Sequence, residues 1–376
     1  MSFSSTIRLR IPPNLRASVL GAVNRLEINF DPRVSVQRVK RYQFNFWKET
    51  VPYALLTFLA LFSLAVMAHP LWFKLFLITA YTTLVLIPFS SQFVLPATPI
   101  FSWLLFYYSC QFIPAAYRPH IWVSVLPTLE SVLYGANISD ILTRYTNPAL
   151  DILAWIPYGI LHFALPFIVA ACLFVFGPPG VVKFWGTAFG YLNLFGVIIQ
   201  VLFPCAPPWY ELREGLVPAN YGMRGSPGGL ARIDAIFHSN GYTVTFSGAP
   251  VPFGAFPSLH AGCSTMEALF LSHFFPQYTP FYWSYIFVLY WSTMYLTHHY
   301  LIDLVAGGSL AVVCFYYFLP AEFKFINAPT PTSPSLSMDA ESGLPKSLNA
   351  NGHPNGYGGW EGDDADEEGY ELPGRP

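Results

Sequence analysis

The chain contains nine histidines, and only His299 has an acidic residue four positions further on, Asp303. At that spacing two side chains share one face of a helix. The carboxylate can then take a hydrogen bond from the near ring nitrogen and leave the far one with its lone pair exposed. That is how an imidazole is prepared as a nucleophile or a base. His298 falls about 100° further round the same helix and is predicted to point elsewhere. A second polar group stands in "GAFPSLHAGCSTM", where His260 lies in the first turn of an apolar run that begins at Ser258. Unpaired backbone N–H groups at such a turn favour an anionic group. A lone histidine near a helix end is usually an interfacial anchor, but two histidines and a carboxylate that converge point to catalysis. Zinc is the rival for a His/His/Asp set, yet the chain has no H-E-x-x-H motif and no second carboxylate nearby, so no metal and no other cofactor is predicted.

The elements that must position these residues are apolar to a degree that excludes an ordinary soluble globule. Of 376 residues 53% are hydrophobic and 11% charged, where about a quarter charged is usual. A net charge of -2 suggests neither a nucleic-acid footprint nor a trap for acidic substrates. Eight runs approach the roughly 17–20 apolar residues that cross a bilayer: Val51–His69, Leu71–Ile87, Ile100–Phe112, Ile152–Phe176, Val181–Phe203, Ser258–Phe275, Phe281–Leu296 and Tyr300–Leu319. The third is the shortest, and Ile121–Tyr134 competes with it as a segment that could lie in the interface. The fold class that follows is all-α, a polytopic helical membrane protein.

Nine of the 19 Lys and Arg lie in the first 50 residues, and ten of the 21 acids follow Pro320. Positive residues mark the cytosolic side. The chain therefore divides into a basic cytosolic segment (1–50), a membrane domain of about eight spans (51–320) and an acidic, Pro/Ser/Asn/Gly-rich cytosolic tail (321–376) that is too polar to order itself. The first residues lack the uninterrupted apolar core of a signal peptide, so the first membrane helix is predicted to act as the insertion signal. Counting spans puts both termini in the cytosol, the large loop 204–257 outside it, and His260, His299 and Asp303 together at the outer membrane face.

With these residues in view, the chain resembles the type 2 phosphatidic acid phosphatase superfamily of lipid phosphatases and phosphotransferases. Pro257-Ser258-Leu259-His260 matches its P-S-G-H motif except at Leu259, and Ser292-Thr293, five residues, His299 and Asp303 match S-R-x5-H-x3-D except at Thr293. Its K-x6-R-P motif is absent. The missing cations grip a doubly charged phosphate monoester, so their loss argues for a diester substrate. Within the superfamily, "GANISDILTRYTNPALDILAWIPYGILHFALPF", "FPCAPPWYELREGLVPANYGMRGSPGGLARID", "GAFPSLHAGCSTMEALFLSHFFPQ" and "YLTHHYLIDLVAGG" are similar to the fungal-type inositol phosphorylceramide synthases, over about 130 to 320. The resemblance implies a helical-bundle core and transfer of inositol phosphate from phosphatidylinositol to ceramide at the lumenal face of Golgi membranes. It further implies no metal, and a small membrane-bound regulatory subunit as partner. His299 would attack phosphorus, and His260 would protonate the departing diacylglycerol.

Other residues carry weaker signals. Arg213, Arg224 and Arg232 are the cations of the large loop, and Arg224 and Arg232 are the candidates for holding substrate phosphate. His162, inside the fourth run, is a polar group that needs a partner or lines a lipid cleft. Asn137-Ile138-Ser139 reads as a glycosylation site. The five cysteines read as packing residues, with Cys110 and Cys205 the pair that could meet as a disulfide. A lipid phosphatase is the alternative enzyme. A transporter would place its ionisable groups near the midplane, often in repeated halves, whereas here they gather at one face.

Overall fold

The structure is a computed structural model and describes residues 13–324; the expectations for most of the tail (325–376) lie outside the described residues. Two short helices, α1 (Pro13–Val23) and α2 (Pro32–Arg41), occupy the basic segment. Asp31 caps α2 by accepting from the Arg33 N–H, and Pro32 supplies the preset first position. The next four are α3 (Val51–Val66), α4 (Leu71–Leu86), α5 (Pro88–Val94) and α6 (Thr98–Ser109). Then follow α7 (Val125–Tyr134), α8 (Ile138–Thr143) and α9 (Pro148–Trp155), which a π-helical turn, Ile156–Leu161, joins to α10 (His162–Phe176). After α11 (Val181–Leu202), the large loop folds into α12 (Pro208–Glu214), α13 (Leu230–Ile236) and α14 (Gly241–Ser247). The chain closes with α15 (Leu259–Phe274), α16 (Thr279–Tyr295) and α17 (Leu301–Phe318). Among the described residues there is no strand, only two isolated bridges at Cys205.

All eight apolar runs of the sequence fold as helices. Among the described residues four segments are long and apolar enough to cross a membrane, Phe46–Val66, Pro148–Phe176, Val181–Leu202 and Leu301–Phe318, and a fifth counts if α4 and α5, bent by 109°, are taken as one span. The helices α6, α15 and α16, at 12, 16 and 17 residues, reach only about 18–26 Å at 1.5 Å per residue.

The burial pattern sorts these helices. In α11, 61% of the apolar window is buried, against 11% in the α9–α10 segment, so α11 is the central post and α10 turns its apolar surface outward. Phe184, Trp185 and Phe189 of α11 pack with Phe270 of α15 and Phe315 of α17 as the main core. Phe323 is also buried in that core, so the ordered helical body extends past the predicted boundary at 320. All five cysteines are free thiols, and the possible Cys110–Cys205 disulfide does not form.

The tightest helix contact decides where the site can be. A Cβ at Gly307 of α17 would stand 2.0 Å from the Ser258 carbonyl at the head of α15. Only a residue without a side chain lets those backbones touch. The Ser258 N–H donates to the Asp303 carbonyl at 2.9 Å in the same contact. Replacing Gly307 with Ala should cost about 1–3 kcal/mol by forcing the helices apart. Lower thermal stability in detergent is expected, and an unchanged melting temperature would contradict the packing argument.

Candidate active site

Two helix starts meet at this contact. Ser258 is the N-cap of α15, its hydroxyl accepting from the Ala261 N–H, and that places His260 in the first turn. On the facing side Thr297, at φ +64°, ends the α16 region and turns the chain. His298, His299 and Tyr300 then run into the first turn of α17. His299 is therefore not on the helix with Asp303, as the spacing suggests, but on the extended segment before it. The contact still forms: His299 Nδ1 lies 2.7 Å from Asp303 Oδ2, and His299 Nε2 lies 3.0 Å from His260 Nδ1.

The hydrogen bonds define the tautomers. A carboxylate accepts, so His299 Nδ1–H donates to Asp303 and Nε2 carries the lone pair. His260 Nδ1–H must then be the donor of the imidazole–imidazole bond. His299 is 5% exposed and Asp303 0%. Burial pushes the His299 imidazole down to about 3, which keeps it neutral and holds that lone pair available at neutral pH.

Four further contacts fix the irregular segment that carries His299. The Ser139 hydroxyl donates to the His299 carbonyl at 2.6 Å. Trp209 N–H donates to the Thr297 carbonyl, and Gly229 N–H to that of Leu296, both at 2.9 Å. Tyr300 OH donates to Glu211 Oε2 at 2.7 Å. Gly228, at φ +51°, has room only for hydrogen, because a Cβ would meet Thr297 Oγ1 at 2.5 Å. Behind them Glu130, fully buried, accepts from the Leu301 N–H at 2.6 Å and the Ile138 N–H at 3.0 Å. Burial pushes its carboxyl above the ordinary range, and these two donors oppose that shift. Glu130 and Glu211 carry no motif, and Ser139 stood out only as part of the Asn137 glycosylation signal; a buried acid at a helix start shows its purpose only once the helices are assembled.

A cleft of about 1400 Å³ opens on the histidine pair, lined by residues of α6, α10, α11 and the large loop. His162, His260, His298 and His299 all line it, and among the described residues no Lys or Arg does. His298 is thus at the site and not directed away from it. Because Thr297 breaks the helix, the helical angle does not apply to its neighbour. Its Nε2–H donates to the Pro227 carbonyl at 2.9 Å, and its ring stacks on Tyr158. Burial pushes the His298 imidazole down to about 3.

The model of the PAP2 superfamily matches residues 126–317, which hold every one of these groups. The chain is 47% identical over 318 residues to the inositol phosphorylceramide synthase catalytic subunit of Schizosaccharomyces pombe, covering 84% of this chain and 74% of that one. Its counterpart in Saccharomyces cerevisiae is 50% identical over 306 residues, 81% and 75% of the two chains. The inositol phosphorylceramide synthase of Candida albicans is 47% identical over 300 residues, 78% of this chain and 64% of its own length. The chain belongs to the inositol phosphorylceramide synthase family of the PAP2 superfamily. It is a phosphotransferase of sphingolipid biosynthesis, carried on membrane helices. No solved structure matches it.

The remaining sequence candidates divide. His162 lies against His260, ring centroids 4.6 Å apart. Arg224 is exposed, and its neighbours Gly225 and Ser226 line the cleft instead. Arg232 is turned away, its Nε donating to Asp151 Oδ1 at 2.8 Å and its guanidinium lying over the Tyr295 ring. Arg213 pairs with Glu214 at the surface. Asn137 caps α8 through its side-chain oxygen, and its Nδ2, the atom a glycan would take, donates to Glu211 at 3.0 Å. Among the described residues no group of three or more His, Cys, Asp or Glu side chains is arranged to hold a metal ion. Removing the Glu130 carboxylate should strand two buried N–H donors, at about 1–3 kcal/mol each. Glu130→Ala is therefore expected to lower both melting temperature and turnover, with Glu130→Gln between it and wild type; wild-type behaviour of the alanine variant would remove this group from the account.

Proposed function

We propose that the protein transfers inositol phosphate from phosphatidylinositol to the primary hydroxyl of ceramide and releases diacylglycerol, through a phosphohistidine at His299. The observation that carries the reading is the His299 Nε2 to His260 Nδ1 distance of 3.0 Å, with Nδ1 of His299 held by Asp303. It pairs a lone pair with a transferable proton at one point.

The steps balance as follows. Phosphorus enters between the two rings and replaces their hydrogen bond. The Nε2 lone pair forms the N–P bond as the P–O bond to diacylglycerol breaks; His260, which takes up a second proton when the anionic diester enters, gives its Nδ1 proton to the departing oxygen and is left as the neutral imidazole. Asp303 offsets the positive charge that develops on the His299 ring. In the second half-reaction the ceramide hydroxyl gives its proton to His260 and attacks phosphorus, and the P–N electron pair returns to Nε2. Water must be excluded between the two halves, which burial of His299 and Asp303 favours.

The alternative is a lipid phosphate phosphatase. The cleft lining favours the transferase, since a monoester dianion calls for fixed cations and no Lys or Arg lines the cleft among the described residues.

The same reading sets the site at the lumenal face of Golgi membranes, with both termini cytosolic and a small membrane-bound regulatory subunit as partner. Three contacts support its topology. Arg25 of the basic segment donates to the carbonyls of Phe174 and Gly177 at the end of α10, and Phe323 packs over Gly180. His162, at the opposite end of α10, meets the catalytic pair. Both described chain ends therefore lie on one side and the histidines on the other.

His299→Ala is expected to leave less than about a hundredth of wild-type transfer in a stably folded protein, while Asp303→Asn should keep more, because it spoils orientation but leaves the nucleophile. Transfer from labelled phosphatidylinositol with and without ceramide is the assay, and an active His299→Ala variant would end the assignment. For topology, Ala235→Cys in the large loop and Ser342→Cys in the tail would be probed on a background without native cysteines. In cytosol-side-out vesicles an impermeant thiol reagent should label the second variant and spare the first; the reverse pattern would overturn the orientation.

A further inference from the structure

The π-helical turn between α9 and α10 places Tyr158 and His162, four residues apart, against the catalytic histidines. Such turns interrupt helices most often where function requires it. The Tyr158 ring stacks on both His260 and His298, at 4.6 and 5.2 Å between centroids. His162 packs on His260 from another side. Both residues line the cleft, yet Tyr158 Oη and His162 Nδ1 are buried with no hydrogen-bond partner among the described residues. Burying two such atoms unpaired is costly, and the cost is recovered when a ligand supplies partners.

The character of that ligand follows from its surroundings. A phenol and a neutral imidazole offer one donor and one acceptor each and no fixed charge. Beyond His162 the wall of α10 is Phe163, Pro166 and Phe167, facing Phe101 and Leu104 of α6. Phe163 and Phe167 are 63% and 78% exposed on the outer surface of the helix body, so this end of the cleft opens where lipid chains lie. The polar end, by contrast, is formed by the large loop, where Ser226, Asp234 and Ser239 stand among Trp209, Leu230 and Phe246. A phosphoinositol headgroup belongs at the polar end, and a lipid with a small neutral head belongs at the other.

We propose that Tyr158 Oη and His162 Nδ1 form the subsite that receives the amide and hydroxyl groups of the acceptor, a long-chain N-acylated amino alcohol, and so present its primary hydroxyl to His260. The inference rests on the transferase reading and adds to it the residues that select the acceptor.

The test measures KM for each lipid separately in mixed micelles, in wild type, Tyr158→Phe and His162→Phe. Both substitutions leave an aromatic ring against His260 and delete the hydrogen-bonding atom. Loss of one neutral hydrogen bond should raise the acceptor KM about three- to tenfold, with the donor KM within about twofold. A larger rise in the donor KM, a fall in kcat alone, or no change in either variant would overturn the proposal. If His162→Phe does not fold, Tyr158→Phe decides alone, since it removes a single oxygen from a ring already in place. A wild-type protein that moves no label to ceramide would refute the transferase reading itself, an outcome separate from any change between variants.

Discussion

The whole site hangs on the place where α15 and α17 touch. Gly307 lets the Ser258 carbonyl approach to backbone distance, and the Ser258 N–H donates to the Asp303 carbonyl. That contact sets two helix starts side by side. One starts with His260 and the other follows His299, so the two rings come within 3.0 Å without either residue lying deep in a helix. In a bilayer, helix association cannot draw on the hydrophobic effect, and close backbone packing at small residues takes its place. The same glycine therefore serves stability and chemistry at once.

Behind the histidines stands a layer of buried polar groups that do not line the cleft. Glu130 satisfies the first N–H groups of α8 and α17, Ser139 holds the His299 carbonyl, and Glu211 joins Tyr300 to Asn137. Each answers the same need, because buried helix starts and a buried irregular segment leave backbone groups that water cannot solvate. The layer turns a flexible connection into a fixed mount for one imidazole. Its acids also explain why the segment can depart from helical geometry and still keep its register with Asp303.

The cleft joins two solvents. Its loop end carries backbone and small polar groups, and its α6–α10 end carries aromatic and aliphatic side chains exposed on the outer surface of the helix body. On the proposed reading this shape lets each lipid substrate keep its chains in the bilayer while phosphorus reaches the histidines. Imidazoles and a phenol take the place of fixed cations in the lining. Such a lining suits a singly charged diester and spares the protein the cost of burying lysine or arginine beside lipid.

Much of this was legible in the residues alone, and for definite reasons. Long apolar runs can satisfy their backbones only as helices in lipid, so the all-α membrane class followed from composition and run length. The pairing of His299 with Asp303 was legible because four residues is a short tether, and the contact survives although His299 lies outside the helix. His260 stood out through its place in the first turn of an apolar run that begins at Ser258. Other features were decided only by tertiary packing. A left-handed Thr297 turned His298 into the cleft, which no periodicity encodes. Arg232 found Asp151, 81 residues away, and does not line the cleft. Tyr158, Glu130 and Glu211 gained their positions from partners on other helices, and a single residue's type cannot announce a partner that folding alone supplies. Local spacing determines chemistry within one turn of chain, while the meeting of distant turns depends on how the helices pack.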